Sequence, residues 1–179
     1  MPLKIPKPIV YISIRNGLIA SLINIGALLL LFYGGKHPLL LSPLIDIRIP
    51  LYGVFIFFGL KVYRDQSNGG ALGFVQGIVL GFFCYMTIAI LTSIFIFLFA
   101  SIEQTQFISK YIDIAMDQLI HNRELFIDSI GENAYRKSIE MLPNTTAANL
   151  AIDYFLKSMP IGLFLTIVLA ILQRRKTLI

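Results

Sequence analysis

The sequence predicts an all-α integral membrane protein with four transmembrane helices and a helical extracytoplasmic insert between helices three and four. Three observations carry that prediction. Of 179 residues, 56% are hydrophobic and 14% charged, where a soluble domain carries about a quarter charged residues. No Asp, Glu, Lys or Arg occurs from Ala71 to Ser101, and a helix needs only about 20 apolar residues to cross a bilayer. The remaining charge is concentrated beside the apolar runs, where it sets topology.

Taken in order, span one is expected over residues 11–33. Lys4 and Lys7 precede it as in a signal peptide, but the apolar run is long and no small-x-small cleavage site leads into a soluble domain, so an uncleaved helix is expected. Gly34-Gly35-Lys36-His37-Pro38 ends it in a turn. Span two is expected over residues 42–62. Leu51 to Leu60 is wholly apolar, but Asp46, Arg48 and Pro50 stand at its start. The apolar part alone is too short to cross, so Asp46 and Arg48 are expected at the outer edge of the bilayer, where a charge is tolerated better than at a helix centre. Span three, residues 71–101, follows a polar turn ending in Gly69-Gly70. At 1.5 Å per residue it is roughly 45 Å long and has to tilt or project.

Residues 103–157 form the one sizeable polar region, expected as an amphipathic helical insert. Ile108, Ile112, Ala115 and Leu119 recur at helical spacing, and Phe126 and Ile130 continue the stripe. Gly131 should interrupt it, and Pro143 should break the chain before hydroxyl residues that can cap the last helix. Span four is expected over residues 154–172. Its apolar core from Ile161 is short, so the helix has to begin before Pro160, with a kink there and with Lys157 snorkelling to the interface. The tail Gln173-Arg174-Arg175-Lys176 closes it.

Charge gives the bundle a direction. With four spans, Lys4, Lys7, Arg15, Lys61, Arg64, Arg174, Arg175 and Lys176 share one side. The short loop opposite has Lys36, with Arg48 at the membrane edge, and the insert carries five bases against eight acids. The positive-inside rule then puts both termini in the cytoplasm. The net charge of +5 reflects these flanks rather than a nucleic-acid surface, since no aromatic-interleaved basic patch lies outside the spans.

Gly69, Gly73, Gly77 and Gly81 recur every fourth residue, with Ala89 and Ser93 continuing the row. Such spacing lets helix backbones approach closely. Packing within the monomer against span one or two is the favoured reading, and a homodimer seam is the alternative. Asn16, Gly17, Ala20, Ser21 and Asn24 make a small, polar face on span one that Gln76 could meet. Structural hydrogen bonding is the default for this face, and a polar transport lining formed by Asn24, Gln76, Asp46 and Arg48 is the rival. Asp46 and Arg48 are two apart and on a helix would not face one another, so no pair is required. The single cysteine, Cys84, fits a small core residue.

Catalytic and metal signatures are absent: there is no His-Glu-x-x-His, phosphate loop, Gly-x-Ser-x-Gly or Cys-x-x-Cys, and His37 and His121 are far apart. No cofactor is expected, and the chain is expected not to be an enzyme. Asp113 and Asp117 share a helix face, which is ordinary for a solvated helix. Asn144-Thr145-Thr146 fits the glycosylation triplet, a pattern that arises often by chance.

The order of these pieces resembles a bacterial membrane family, domain of unknown function 4199. The resemblance runs through Asn16-Gly17-Leu18-Ile19, then Gly59-Leu60-Lys61-Val62-Tyr63-Arg64-Asp65, then Gly69-Gly70-x-x-Gly73-Phe74-x-x-Gly77, and ends in the basic tail. The Asp46, Arg48 and Pro50 cluster departs from the plainly apolar start of span two in that family. The resemblance implies a small four-helix inner-membrane protein and no activity. The expected role is a scaffold or accessory subunit, with the bilayer and either a second copy or a membrane-complex partner as contacts. A small oligomeric transporter or channel is the alternative.

Overall fold

The computed structural model describes residues 6–41, 46–102 and 106–175. The expected start of span two at Ser42, the start of the insert at Glu103, and Lys4 and Lys176 lie outside the described residues. Seven α-helices are described: α1 Lys7–Tyr33, α2 Arg48–Val62, α3 Phe74–Ala100, α4 Phe107–His121, α5 Arg123–Ile130, α6 Glu132–Met141 and α7 Ala147–Leu172. Three of them, α1, α3 and α7, are long and apolar enough to cross a membrane. At 26 or 27 residues each is about 40 Å long, against a hydrocarbon core of about 30 Å. Helix α2 has 15 residues, or about 22 Å, and runs on into a π-helical turn, Tyr63–Ser67.

Several boundaries have local causes. Pro8 falls in the first turn of α1, where its missing N–H loses nothing and its fixed φ suits a helix. Gly69 and Gly70 take φ of +59° and +82°, conformations that cannot be helical. Gly73 is extended (φ −77°, ψ 148°), and the Gln76 side chain folds back to accept its N–H at 3.0 Å. Helix α3 therefore begins at Phe74, later than the expected residue 71. The expected stripe over residues 108–130 is broken at Asn122, which separates α4 from α5. Gly131, at φ +83°, ends α5 as expected. Thr146 caps α7, its hydroxyl accepting the Asn149 N–H at 3.3 Å. Helix α7 thus starts at Ala147, seven residues before the expected 154, and Pro160 lies inside it.

Helix α3 is central, packed along α7 and α1, and α2 fills the remaining side. Small residues set the spacing. A Cβ at Gly17 would meet Thr87 Cβ at 2.6 Å, one at Gly77 would meet Ala170 Cβ at 2.8 Å, and one at Gly162 would meet Tyr85 Cγ at 2.4 Å. The core falls into two clusters. One gathers Ile9, Ile12, Tyr52, Ile56, Leu60, Tyr63, Leu72, Leu80 and Cys84. The other gathers Leu28, Phe32, Ile96, Phe107, Leu150 and Tyr154. The first amino acids of α1 and the last of α7 lie at the same end of the bundle, because Leu72 packs with Ile9 and exchanges two backbone hydrogen bonds with Arg175.

Candidate functional site

The first cluster of buried polar groups lies where α1 and α3 approach their C-terminal ends, α7 is two to three turns past its start and α2 begins. Asn24 of α1 is fully buried, and its amide nitrogen donates to Thr92 Oγ1 of α3 at 3.1 Å and to the Tyr154 hydroxyl of α7 at 2.6 Å. The Asn24 carbonyl oxygen has no partner. Turning the amide over would let the oxygen accept from both hydroxyls but would leave the nitrogen unpaired instead. One end of the amide is thus orphaned in either placement. It borders a cavity of about 40 Å³ lined by Asn24, Leu28, Leu39, Asp46, Arg48 and Tyr154, among others. That volume holds two or three waters, the usual partners of such a group.

Asp46 and Arg48 close the cavity as a pair. The Arg48 guanidinium reaches both carboxylate oxygens, with Nε at 2.9 Å from each and Nη2 at 2.5 Å from Oδ2. This corrects the expectation that residues two apart need not pair. Asp46 precedes the helix, and its Oδ1 also accepts the Arg48 backbone N–H at 2.9 Å, so helical side-chain spacing does not apply to it. Arg48 reaches Ser158 Oγ at 3.3 Å and lies over the Tyr154 ring at 5.0 Å. Ser158 is eleven residues into α7, about 16 Å below its start. The pair is therefore held inside the bundle at the level of Tyr154 and Ser158, with side chains 14% and 15% exposed.

His37 ties the loop before α2 to the insert. Its ring packs on Phe107 (4.5 Å between centroids) and Tyr111 (5.3 Å). Nδ1 accepts the Leu39 N–H at 3.4 Å, and Nε2 lies 3.3 Å from the Phe107 carbonyl. Those bonds define the neutral ring with the proton on Nε2. Burial pushes its pKa down from 6.5 to about 4, opposed by the Phe107 carbonyl and helped by Lys110.

The other expected site residues are elsewhere. Gln76 bonds with Gly73 and, at 3.3 Å, with Asn68 at the opposite end of the bundle; it does not meet Asn24. Gly69 and Gly73 precede α3, so the row of four on one helix face reduces to Gly77 and Gly81. Both face α7, where Gly81 lies against Thr166 and Gly77 against Ala170, and a Cβ at Gly77 would also meet Leu60 of the expected span two at 3.6 Å. A second set of polar bonds gathers at that opposite end: Ser13 to the Leu80 carbonyl, Asn16 to the Phe55 carbonyl and Gln173 to the Phe57 carbonyl. Between the two polar layers Ala20, Ile56, Cys84 and Ile88 are all fully buried. Sequence reasoning missed Tyr52, Thr92, Tyr154 and Ser158. None carries a local signal in the sequence, and only the register of the helices brings them together.

The fold and these polar layers define an all-helical protein with three membrane-type helices. The family described as protein of unknown function (DUF4199) matches residues 15–175, and the chain belongs to that family. No curated protein and no solved structure matches it.

Proposed function

We propose that this chain is a non-enzymatic scaffold or accessory subunit of a bacterial inner-membrane complex, crossing the membrane four times with both termini in the cytoplasm and residues 103–157 outside. The carrying observation is the layer of Ala20, Ile56, Cys84 and Ile88, which separates the polar groups at the two ends and is interrupted among the described residues by the isolated hydroxyls of Ser21 and Thr166 rather than by a charged side chain. The course of α2 supports the fourth pass, since it starts beside Tyr154 and ends beside Tyr63 and Leu72 at the other end. The insert supports the contact role. Its Phe107, Ala115 and Tyr135 are buried, but Ile120, Leu125, Ile130 and Met141 remain 48–68% exposed, apolar side chains available to a partner.

The transporter reading keeps one supporting observation, the orphaned Asn24 amide beside its cavity. Proteoliposomes separate the two. A sustained, substrate-dependent flux would overturn the scaffold reading. A photoreactive residue at Leu125 should give one discrete cross-linked product in cells, while the same residue at Glu140 gives none. Orientation is tested with a cysteine at Asp128 and an impermeant maleimide, because Cys84 is fully buried and contributes little background. Labelling only from the cytoplasmic side would reverse the topology.

A further inference from the structure

One end of the bundle is built as a rigid basic rim. Lys61 closes α2, Arg64 stands in the π-helical turn that follows, and Arg174 and Arg175 follow α7. Chain segments far apart in sequence are clamped together there. Leu72 N–H donates to the Arg175 carbonyl at 2.9 Å and Arg175 N–H donates to the Leu72 carbonyl at 3.1 Å. Gln173 adds a second tie, donating to the Phe57 carbonyl at 2.9 Å and accepting from Arg64 at 3.2 Å. The intervening turn is fixed by the Gly70 N–H on the Arg64 carbonyl at 2.8 Å and by the Asn68 amide on the Ala71 carbonyl at 2.7 Å.

The charge on this rim is uncompensated. Asp65 is the one acid there among the described residues, and Arg64 grips it with Nε at 2.6 Å and Nη2 at 3.1 Å. The Arg64 hydrogen bond holds the Asp65 carboxyl below its ordinary range, with Lys61 and Arg175 adding to the effect. Lys61, Arg174 and Arg175 are exposed and have no ion-pair partner among the described residues. Directly beneath them in sequence lie exposed apolar side chains: Phe58 on α2, Phe74 at the start of α3, and Ile171 and Leu172 on α7. A free phosphate needs the bases alone. The pairing of unneutralised bases with exposed hydrocarbon at the ends of membrane-type helices fits a ligand with an anionic head and an acyl tail.

We propose that this rim is a binding site for the headgroup of an anionic phospholipid. Lys61, Arg174 and Arg175 engage the phosphate, and the Leu72–Arg175 clamp holds α2, the α2–α3 turn and the C-terminal segment in one geometry. The proposal rests on the membrane reading of the apolar helices and not on the accessory role. The test uses the full chain in nanodiscs of phosphatidylglycerol, of phosphatidylcholine and of their equimolar mixture, with the lipid retained after extraction from the mixed discs measured by native mass spectrometry.

Wild type should retain phosphatidylglycerol preferentially. The variant Lys61→Gln/Arg174→Gln/Arg175→Gln should lose about a hundredfold of that preference, at roughly fivefold per base. Its helix content should be unchanged, because all three side chains are exposed. The control Lys110→Gln/Lys157→Gln, at the other end of the bundle, should keep the preference. Excess glycerol phosphate should not compete. Equal retention of the two lipids by wild type, or an undiminished preference in the triple variant, would overturn the proposal. Competition by glycerol phosphate at the lipid's own concentration would show a phosphate site instead of a lipid site. Failure to enter discs of either composition would remove the membrane reading and this inference together.

Discussion

The contact between α3 and α7 makes a quantitative prediction for Gly81→Ala. A Cβ at Gly81 would lie 2.4 Å from Thr166 Cγ2, 2.6 Å from Oγ1 and 2.9 Å from Cβ. Rotating Thr166 can clear the first two atoms, but the Thr166 Cβ is fixed to its backbone. Carbon atoms in contact prefer about 3.5–4.0 Å, so the two helices have to separate by roughly 0.5–1 Å. That displacement also loosens Gly77 against Ala170 and Gly162 against Tyr85 on the same seam. Overpacking of this kind costs about 1–3 kcal/mol. The intrinsic helix gain of Gly→Ala, up to about 1 kcal/mol, offsets part of it. The expected net loss is about 1–2 kcal/mol. Gly26→Ala on α1 supplies the opposite sign, since nothing lies within 4 Å of its Cβ and only the helix gain remains. Unfolding by a denaturing detergent in mixed micelles, followed by circular dichroism, measures both. In a double-mutant cycle, Thr166→Gly should couple favourably with Gly81→Ala. A Gly81→Ala protein as stable as wild type, with no coupling to Thr166, would refute the close-contact account.

Three further outcomes follow from named contacts. Asp46→Asn or Arg48→Gln alone should destabilise by about 2–3 kcal/mol, below the ~3–5 kcal/mol of a fully buried pair. The double variant should lose less than the sum, measured in the same unfolding assay. The pH dependence of insert docking should trace to His37. Its folded pKa of about 4 lies below the ordinary 6.5, so the unfolded chain takes the proton first. The stability it contributes is present above 6.5 and is lost as pH falls toward 4. The protection factor at α4, the exchange rate referred to the intrinsic rate at each pH, should therefore fall on acidification, and His37→Phe, with Lys110 and Tyr111 kept, should flatten that response. Thr146→Ala removes the cap on the Asn149 N–H and should cost about 1 kcal/mol, read as faster exchange confined to the first turn of α7.

What could be read in the sequence was whatever depends on neighbours along the chain. The run without Asp, Glu, Lys or Arg from Ala71 to Ser101 announces α3 because burial in lipid tolerates no charge along a whole helix. Gly131 and Thr146 mark helix ends because φ above zero and a capping hydroxyl are local requirements. The family could be recognised from the Lys61 to Gly77 stretch for the same reason, since turn, glycines and basic flank are contiguous there. The glycine row shows where local spacing overreaches. Gly69, Gly73, Gly77 and Gly81 share a face only on an unbroken helix, and the positive φ at Gly69 and Gly70 excludes one.

The polar cluster was hidden for a different reason. The sequence places Asp46 and Arg48 at the membrane edge because the apolar run from Leu51 is too short to cross alone and a charge costs less there, but it does not show the partners that hold the pair. Those partners come from α7, as the Ser158 hydroxyl, the Tyr154 carbonyl and the Tyr154 ring, more than a hundred residues away. The short α2 and the deep pair explain one another. A helix of 15 residues can begin at the level of Tyr154 only if its N-terminal charges are satisfied there. Conversely, Arg48 can stay at that depth only while Asp46, Ser158 and the Tyr154 face are all in place. The aromatic contact of His37 with Phe107 and Tyr111 of α4, with Leu39 two residues on lining the polar cavity, links the position of the insert to that cavity. Loss of the Asp46–Arg48 pair should therefore appear not only in global unfolding but as faster exchange in α4. If α4 is undisturbed in Arg48→Gln, the insert and the pair are independent.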